Sequence, residues 1–255
     1  MFFNKLKPSV TKEDKDWIDD SFLWFEGQYG RNYLKSVRII EPTREFFNIE
    51  FSGKEEDAHF VLSKCLEYMD IKAVKVDLNF YSEAPIDFEE EGVFITQSEE
   101  GNELKDSYPL GTYSEASPNH FLIDLERGQL NDPHSMIATI AHELSHLILL
   151  GEGRIQESDE ELTDLNCIAL GFGIFISNNI FHFNQWQGAS HHGWSAKRNG
   201  YLPEEVAAYA MALLSCYQNN PLNWTLHLNK TVKKMFDKNV KYLRANPDSL
   251  PFKNT

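Results

Sequence analysis

Two histidines and a glutamate, spaced as on a metal-binding helix, are the residues of this chain best suited to chemistry. His142, Glu143 and His146 form the pentapeptide H-E-x-x-H. On an α-helix, residues four apart lie on the same face, so the two imidazoles can bind one Zn²⁺ ion together. Glu143 stands next to the first histidine, where it can take a proton from a metal-bound water. The spacing therefore predicts a zinc site with Glu143 as the general base.

The residues around this motif favour a metal site over a chance match. The flanking segments 135–141 and 147–150 contain no charged side chain. A helix that is apolar nearly all round is expected to be buried. Two histidines and a glutamate in such a helix need partners, because burying them unpaired is costly. A metal ion would supply that partner.

The helix that carries the motif has recognisable ends in the sequence. Asp132 is a good N-cap residue, and Pro133 suits the first helical position. Gly151 stands where a helix commonly stops. These signals predict a helix over residues 133–150, with the motif in its second half.

A third metal ligand is expected downstream, because catalytic zinc takes three protein ligands and leaves one position for water. The acidic residues of segment 159–164 are the candidates, at the start of a second predicted helix. Glu160 and Asp164 are four apart and share a face, so we expect Glu160 to bind the metal and Asp164 to accept the free ring N–H of a ligating histidine. Glu161, about 100° away on an ideal helix, and Asp164 itself are alternative ligands. An acid in a first helical turn also has a purely electrostatic explanation.

Three further residues are candidates for stabilising the oxyanion of a hydrolytic reaction. Tyr201, His191 and His192 all follow the predicted glutamate helix, and a tyrosine or histidine often supplies this electrophilic help. For the two histidines, the favoured interpretation is a polar surface loop, because nothing in the sequence fixes their geometry.

The motif followed by Glu160-x-x-x-Asp164 resembles the gluzincin class of zinc metallopeptidases. The short interval from His142 to Glu160 is similar to that of compact members, the ImmA/IrrE-like proteins and minimal gluzincins. No third histidine follows His146 at the metzincin spacing, which favours a glutamate ligand. The resemblance covers about residues 119–180.

This resemblance implies a zincin-like core made of a sheet edge strand, the H-E-x-x-H helix and a glutamate helix. It also implies zinc-dependent hydrolysis of peptide bonds, with a peptide or protein as substrate. The strand at 119–125 would then pair with extended substrate through its main chain, unless it is an ordinary internal strand. An alternative function is a narrow-specificity, ImmA/IrrE-like regulatory metalloprotein that cleaves or only binds one protein partner. A third hypothesis is a non-enzymatic protein in which the motif is structural.

Composition limits the remaining possibilities. A net charge of −15 over 255 residues argues against nucleic acid or an anionic membrane as the main partner. The three cysteines, Cys65, Cys167 and Cys216, are widely separated and odd in number, which is typical of reduced thiols in a cytoplasmic protein. No apolar leader and no membrane-spanning apolar run is evident, so we expect a cytoplasmic protein. The sequence does not indicate the oligomeric state.

The predicted fold class is α+β. Residues 1–110 are expected to form an N-terminal α/β region, and residues 111–255 a zincin-like catalytic region with C-terminal helices, unless the two make one compact unit. Apolar periodicity predicts the main elements. Helices are expected at 17–25, 55–69, 202–218 and 221–245, and strands at 44–51, 73–81 and 119–125.

Overall fold

The structure is a computed structural model of the chain. It describes residues 6–72, 74–82, 111–117, 119–179, 202–218 and 221–252. Within these residues the protein is rich in helix and has one small sheet, so the α+β class predicted from the sequence is confirmed.

The chain divides into two compact units. We call residues Glu50–Glu143 the sheet unit, and Met1–Ile49 together with Leu144–Thr255 the helical unit. The division falls inside one continuous helix, between Glu143 and Leu144. The predicted regions 1–110 and 111–255 stay a prediction about domain organisation.

The sheet unit contains the three strands of the described residues. They are β1 (Lys75–Tyr81), β2 (Gly111–Ser117) and β3 (His120–Glu126), in the spatial order β1-β3-β2. β3 runs parallel to β1 and antiparallel to β2. Its alternate residues Phe121, Ile123 and Leu125 are buried, as the two-residue period of a strand requires.

The position of β3 corrects one expectation. The resemblance implied a sheet edge strand here that would pair with extended substrate, but β3 is the central strand of the described sheet. Both of its hydrogen-bonding sides are occupied by neighbouring strands, so it has no open ladder for a peptide. The alternative, an ordinary internal strand, is confirmed.

Two helices accompany the sheet. The helix α3 (Glu55–Tyr68) buries Ala58, Val61, Leu62 and Cys65 along one stripe. It follows α1 (Lys12–Tyr29) and α2 (Arg31–Ser36), which belong to the helical unit. The helix α4 (Pro133–His146) begins at the predicted residue, where Oδ1 of Asp132 accepts the Ser135 N–H at 3.2 Å. A π-helical turn, Leu147–Gly151, continues α4 directly after the motif. The predicted helix is thus confirmed in extent, and its last turn is wider than expected.

The helical unit consists of α1 (Lys12–Tyr29), α2 (Arg31–Ser36), α5 (Glu160–Cys167), α6 (Glu204–Gln218) and α7 (Lys230–Ala245). α5 runs on into the segment Ile168–Phe172, where Gly171, with a φ of +97°, interrupts the helix, and helical residues 173–179 follow. Nearly every residue of α6 is buried, and it packs on α7 and also contacts α1 and α2. A helix buried on all sides forms the centre of this unit.

Two sequence-based expectations for this unit are wrong. Residues 44–51 contain no strand; Phe46 and Phe47 are consecutive and both buried, and their N–H groups both bond to the Thr43 carbonyl in a turn. The single helix expected over 221–245 is instead a 3₁₀ turn, Asn223–His227, and then α7, because Leu228 between them is extended. Among the described residues, no helix combines the length and apolar character needed to cross a bilayer.

Candidate metal centre

The structure brings together the two histidines of the motif and one carboxylate of α5. A ring nitrogen of His142, one of His146 and a carboxylate oxygen of Glu160 all lie within 4.8 Å of one another. α4 supplies both histidines one turn apart, as the sequence predicted, and Glu160 is the first residue of α5. Of the described residues, these form the one such group of three potential ligands.

His146 and Glu160 have about the spacing of two ligands on one ion. Nε2 of His146 lies 3.2 Å from Oε2 of Glu160. Two ligands about 2.1 Å from a tetrahedrally coordinated zinc ion are roughly 3.4 Å apart. Two imidazoles with a carboxylate are also a ligand set found in catalytic zinc sites. The three residues therefore have the chemistry of a zinc site, and the His146–Glu160 pair has close to the separation of two ligands on one ion.

Burial differs across the group. The side chain of His146 is 9% exposed, whereas that of Glu160 is 45% exposed. Glu143, which stands next to His142 in the motif, is buried. The cluster thus reaches from a buried helix to an exposed carboxylate at Glu160.

The first turn of α5 is fixed by local hydrogen bonds. Asp159 caps the helix, with its carboxylate accepting the Leu162 N–H at 2.9 Å. Its carbonyl accepts both the N–H and the hydroxyl of Thr163, at 2.9 and 2.7 Å. Glu160 itself accepts a bond from the Ser158 hydroxyl at 3.1 Å. These bonds hold the residues on either side of Glu160 in place.

A buried chain of polar side chains joins the last turn of α4 to α5. Ser145 donates to the carbonyl of Thr163 at 2.9 Å and accepts from the Asn166 amide at 2.8 Å. Oδ1 of Asn166 accepts the hydroxyl of Tyr29 at 2.6 Å. Ser145, Thr163 and Asn166 are all 0% exposed. Because buried polar groups are costly unless paired, this network fixes the packing of the two helices.

The remaining predicted site residues have different outcomes. Glu161 is exposed and is not part of the three-residue group. Asp164 is buried and its Oδ2 accepts the Leu202 N–H at 3.3 Å; its expected bond to a ligating histidine stays a prediction. Tyr201, His191 and His192 lie outside the described residues.

Sequence reasoning missed one residue that contacts the ring of His146. Oγ1 of Thr163 lies 3.3 Å from Nδ1 of His146, on the imidazole nitrogen that does not face Glu160. Residue 163 could have been considered from the sequence, because a threonine hydroxyl in a helix can bond to the main-chain carbonyl four residues earlier. The motif spacing alone does not reveal this contact.

Comparisons of the chain with protein-family models, with curated proteins and with solved structures found no match. The site is therefore interpreted from its own residues and their geometry.

Proposed function

We propose that this chain is a zinc-dependent peptidase of the compact gluzincin type, with a zincin-like core around α4 and α5. The observation that carries the proposal is the gathering of His142, His146 and Glu160 within 4.8 Å. The motif places a glutamate between the two histidines, which a purely structural zinc site does not require. This glutamate favours hydrolysis over a structural role.

His142, His146 and Glu160 would hold the metal ion. Zinc bound by three protein ligands polarises a carbonyl group and lowers the pKa of water toward neutrality. A peptide carbonyl and an attacking water both have to reach the site. The side chain of Glu160 is 45% exposed, so one of the three groups that would hold the ion is in contact with solvent.

Glu143 would move the proton. Glu143 is buried and belongs to the same helical turn as His142. It would accept a proton from the attacking water and later pass this proton to the leaving amine nitrogen, as general base and then general acid. Burial keeps bulk water away from the carboxylate, so the proton stays available for the leaving group.

The test compares the wild-type chain with Glu143→Gln, which keeps the shape of the side chain and removes its basicity. We expect both proteins to bind about one zinc ion per chain, measured by elemental analysis. Hydrolysis of a pool of unstructured peptides, followed by mass spectrometry, should fall by about 10²–10⁴-fold in the variant. A wild-type chain without zinc, or an unchanged rate in Glu143→Gln, would refute the proposal.

The same experiment distinguishes a general peptidase from the narrow-specificity alternative. A chain that binds zinc and cleaves many unrelated peptides is a general peptidase. A chain that binds zinc but leaves the whole pool intact is not a general peptidase, which leaves the regulatory metalloprotein that acts on, or only binds, one protein partner and the non-enzymatic protein in which the motif is structural.

A further inference from the structure

Thr163 contacts the ring of His146 at Nδ1, the ring nitrogen that does not face Glu160. Its Oγ1 lies 3.3 Å from Nδ1. The other ring nitrogen, Nε2, lies 3.2 Å from Oε2 of Glu160. The two nitrogens therefore have different neighbours, and Thr163, at 0% exposure, has no bulk water competing for its hydroxyl.

The direction of this hydrogen bond follows from the number of protons on the hydroxyl. A threonine hydroxyl has one proton to donate. Thr163 donates it to the main-chain carbonyl of Asp159, at 2.7 Å. Only its lone pairs remain for the imidazole, so the proton between Thr163 and His146 belongs to Nδ1.

The neighbouring donors are assigned in the same way. Ser145 uses its one hydroxyl proton on the carbonyl of Thr163, and so it can only accept from the Asn166 amide. The oxygen of Asn166 is then the acceptor for Tyr29. Burial raises the pKa of the Tyr29 phenol, which keeps it protonated as a donor. Each hydroxyl proton in this network thus has one defined acceptor. The hydrogen bonds together hold the main chain of Thr163 against α4.

We infer that Thr163 is a positioning residue of the metal centre: its hydroxyl accepts the Nδ1–H of His146 and so directs Nε2 toward His142 and Glu160. The inference deepens the proposed function and rests on it for the role of His146 as a ligand. A hydrogen bond to the free nitrogen of a ligating histidine sets the orientation of the ring and its tautomer. Loss of such a partner typically weakens metal binding by about 10–100-fold.

The first measurement needs no variant. Nitrogen-15 NMR of the zinc-loaded wild-type chain at neutral pH reports which nitrogen of the His146 ring carries the proton. We expect the proton on Nδ1, facing Thr163, because Nε2 is the nitrogen that faces Glu160. A zinc-loaded ring with its proton on Nε2 would overturn the inference.

A pair of variants then tests the hydroxyl itself. Thr163→Val removes the hydroxyl at nearly constant shape, and Thr163→Ser is the matched control that keeps it. Zinc affinity, measured by competition with a chromophoric chelator, should fall by about 10–100-fold in Thr163→Val and stay within about threefold in Thr163→Ser. Equal affinity in wild type and Thr163→Val contradicts the inference.

The two proposals fail separately. A wild-type chain that binds no zinc refutes the proposed function. A chain that binds zinc with the His146 proton on Nε2, or with equal affinity in wild type and Thr163→Val, refutes the role of Thr163 and leaves the metal centre standing.

Discussion

Nε2 of His146 and Oε2 of Glu160 are 3.2 Å apart, although the two residues are 14 positions apart in the chain. One ends α4 and the other begins α5. The π-helical turn Leu147–Gly151 and the Asp159 cap lie between them. This short intervening segment brings a carboxylate beside the second histidine of the motif. The H-E-x-x-H pentapeptide alone does not predict this neighbour.

Neutralising Glu160 should weaken metal binding far more than neutralising its neighbour. Glu160→Gln removes the carboxylate that faces Nε2 of His146, and we expect zinc affinity to fall by at least about tenfold, since a neutral amide oxygen is a poorer zinc ligand. Glu161→Gln makes the same charge change on an exposed residue outside the group. It should leave the affinity unchanged within about twofold. Chelator competition on the two variants measures both values, and a larger effect in Glu161→Gln would reassign the third ligand.

Gly171 should not tolerate a side chain. Its φ is +97°, and a Cβ there would lie 2.1 Å from the carbonyl oxygen of Arg38. The carbonyl of Gly171 also accepts the Ile40 N–H at 2.9 Å, so the two segments cannot separate freely. We expect Gly171→Ala to lower the free energy of unfolding by at least about 2 kcal/mol.

The control for this substitution is Gly27→Ala. Gly27 lies in α1, and a Cβ there would meet no atom within 4 Å. Alanine is favoured over glycine inside a helix, so this variant should gain about 0.5–1 kcal/mol. Urea unfolding of both variants gives the comparison. Similar effects of the two substitutions would show that the close approach at Gly171 is not a constraint.

The carboxylate of Asp57 should stabilise the sheet unit at neutral pH. It accepts the N–H groups of Ser52 and Gly53 at 2.6 and 2.9 Å, before the first turn of α3. Desolvation by burial raises the pKa of Asp57, but the hydrogen bonds from Ser52, Lys54 and Gly53 outweigh it and hold the pKa below its ordinary value of 3.8. The ionised form is therefore favoured in the folded chain.

This lowered pKa gives a pH dependence of defined sign. The stabilisation is complete above the unfolded-state pKa, and it is lost as the pH falls through the lower, folded-state pKa. Asp57→Asn should cost about 1 kcal/mol at pH 7. The difference from wild type should shrink below about pH 4. Denaturant unfolding at several pH values measures it, and a difference that grows toward low pH would contradict the assignment.

The site was predictable from sequence to the extent that it is local. His142 and His146 are one helical turn apart, and the apolar flanks with Asp132 and Pro133 define their helix. Glu160 follows an N-cap residue at the start of the next helix. Helical spacing and capping are short-range properties, and a sequence contains them directly.

The unpredicted features depend on long-range packing. The central position of β3 is set by its partners β1 and β2, which no pattern within the strand itself reveals. The contact of Thr163 with His146 depends on how α5 is rotated against α4, and the Ser145–Asn166–Tyr29 hydrogen bonds set that rotation. The strand expected at 44–51 failed because burial of Phe46 and Phe47 comes from a turn.

One zinc ion held by His142, His146 and Glu160 should be visible in a crystal. Crystals of the wild-type chain grown with zinc would be measured with X-rays on both sides of the zinc absorption edge. We expect one strong anomalous peak about 2.0–2.2 Å from a nitrogen of each histidine and from a carboxylate oxygen of Glu160. A zinc-bound crystal whose peak lies away from these three side chains, or a chain that takes up no zinc, would contradict it.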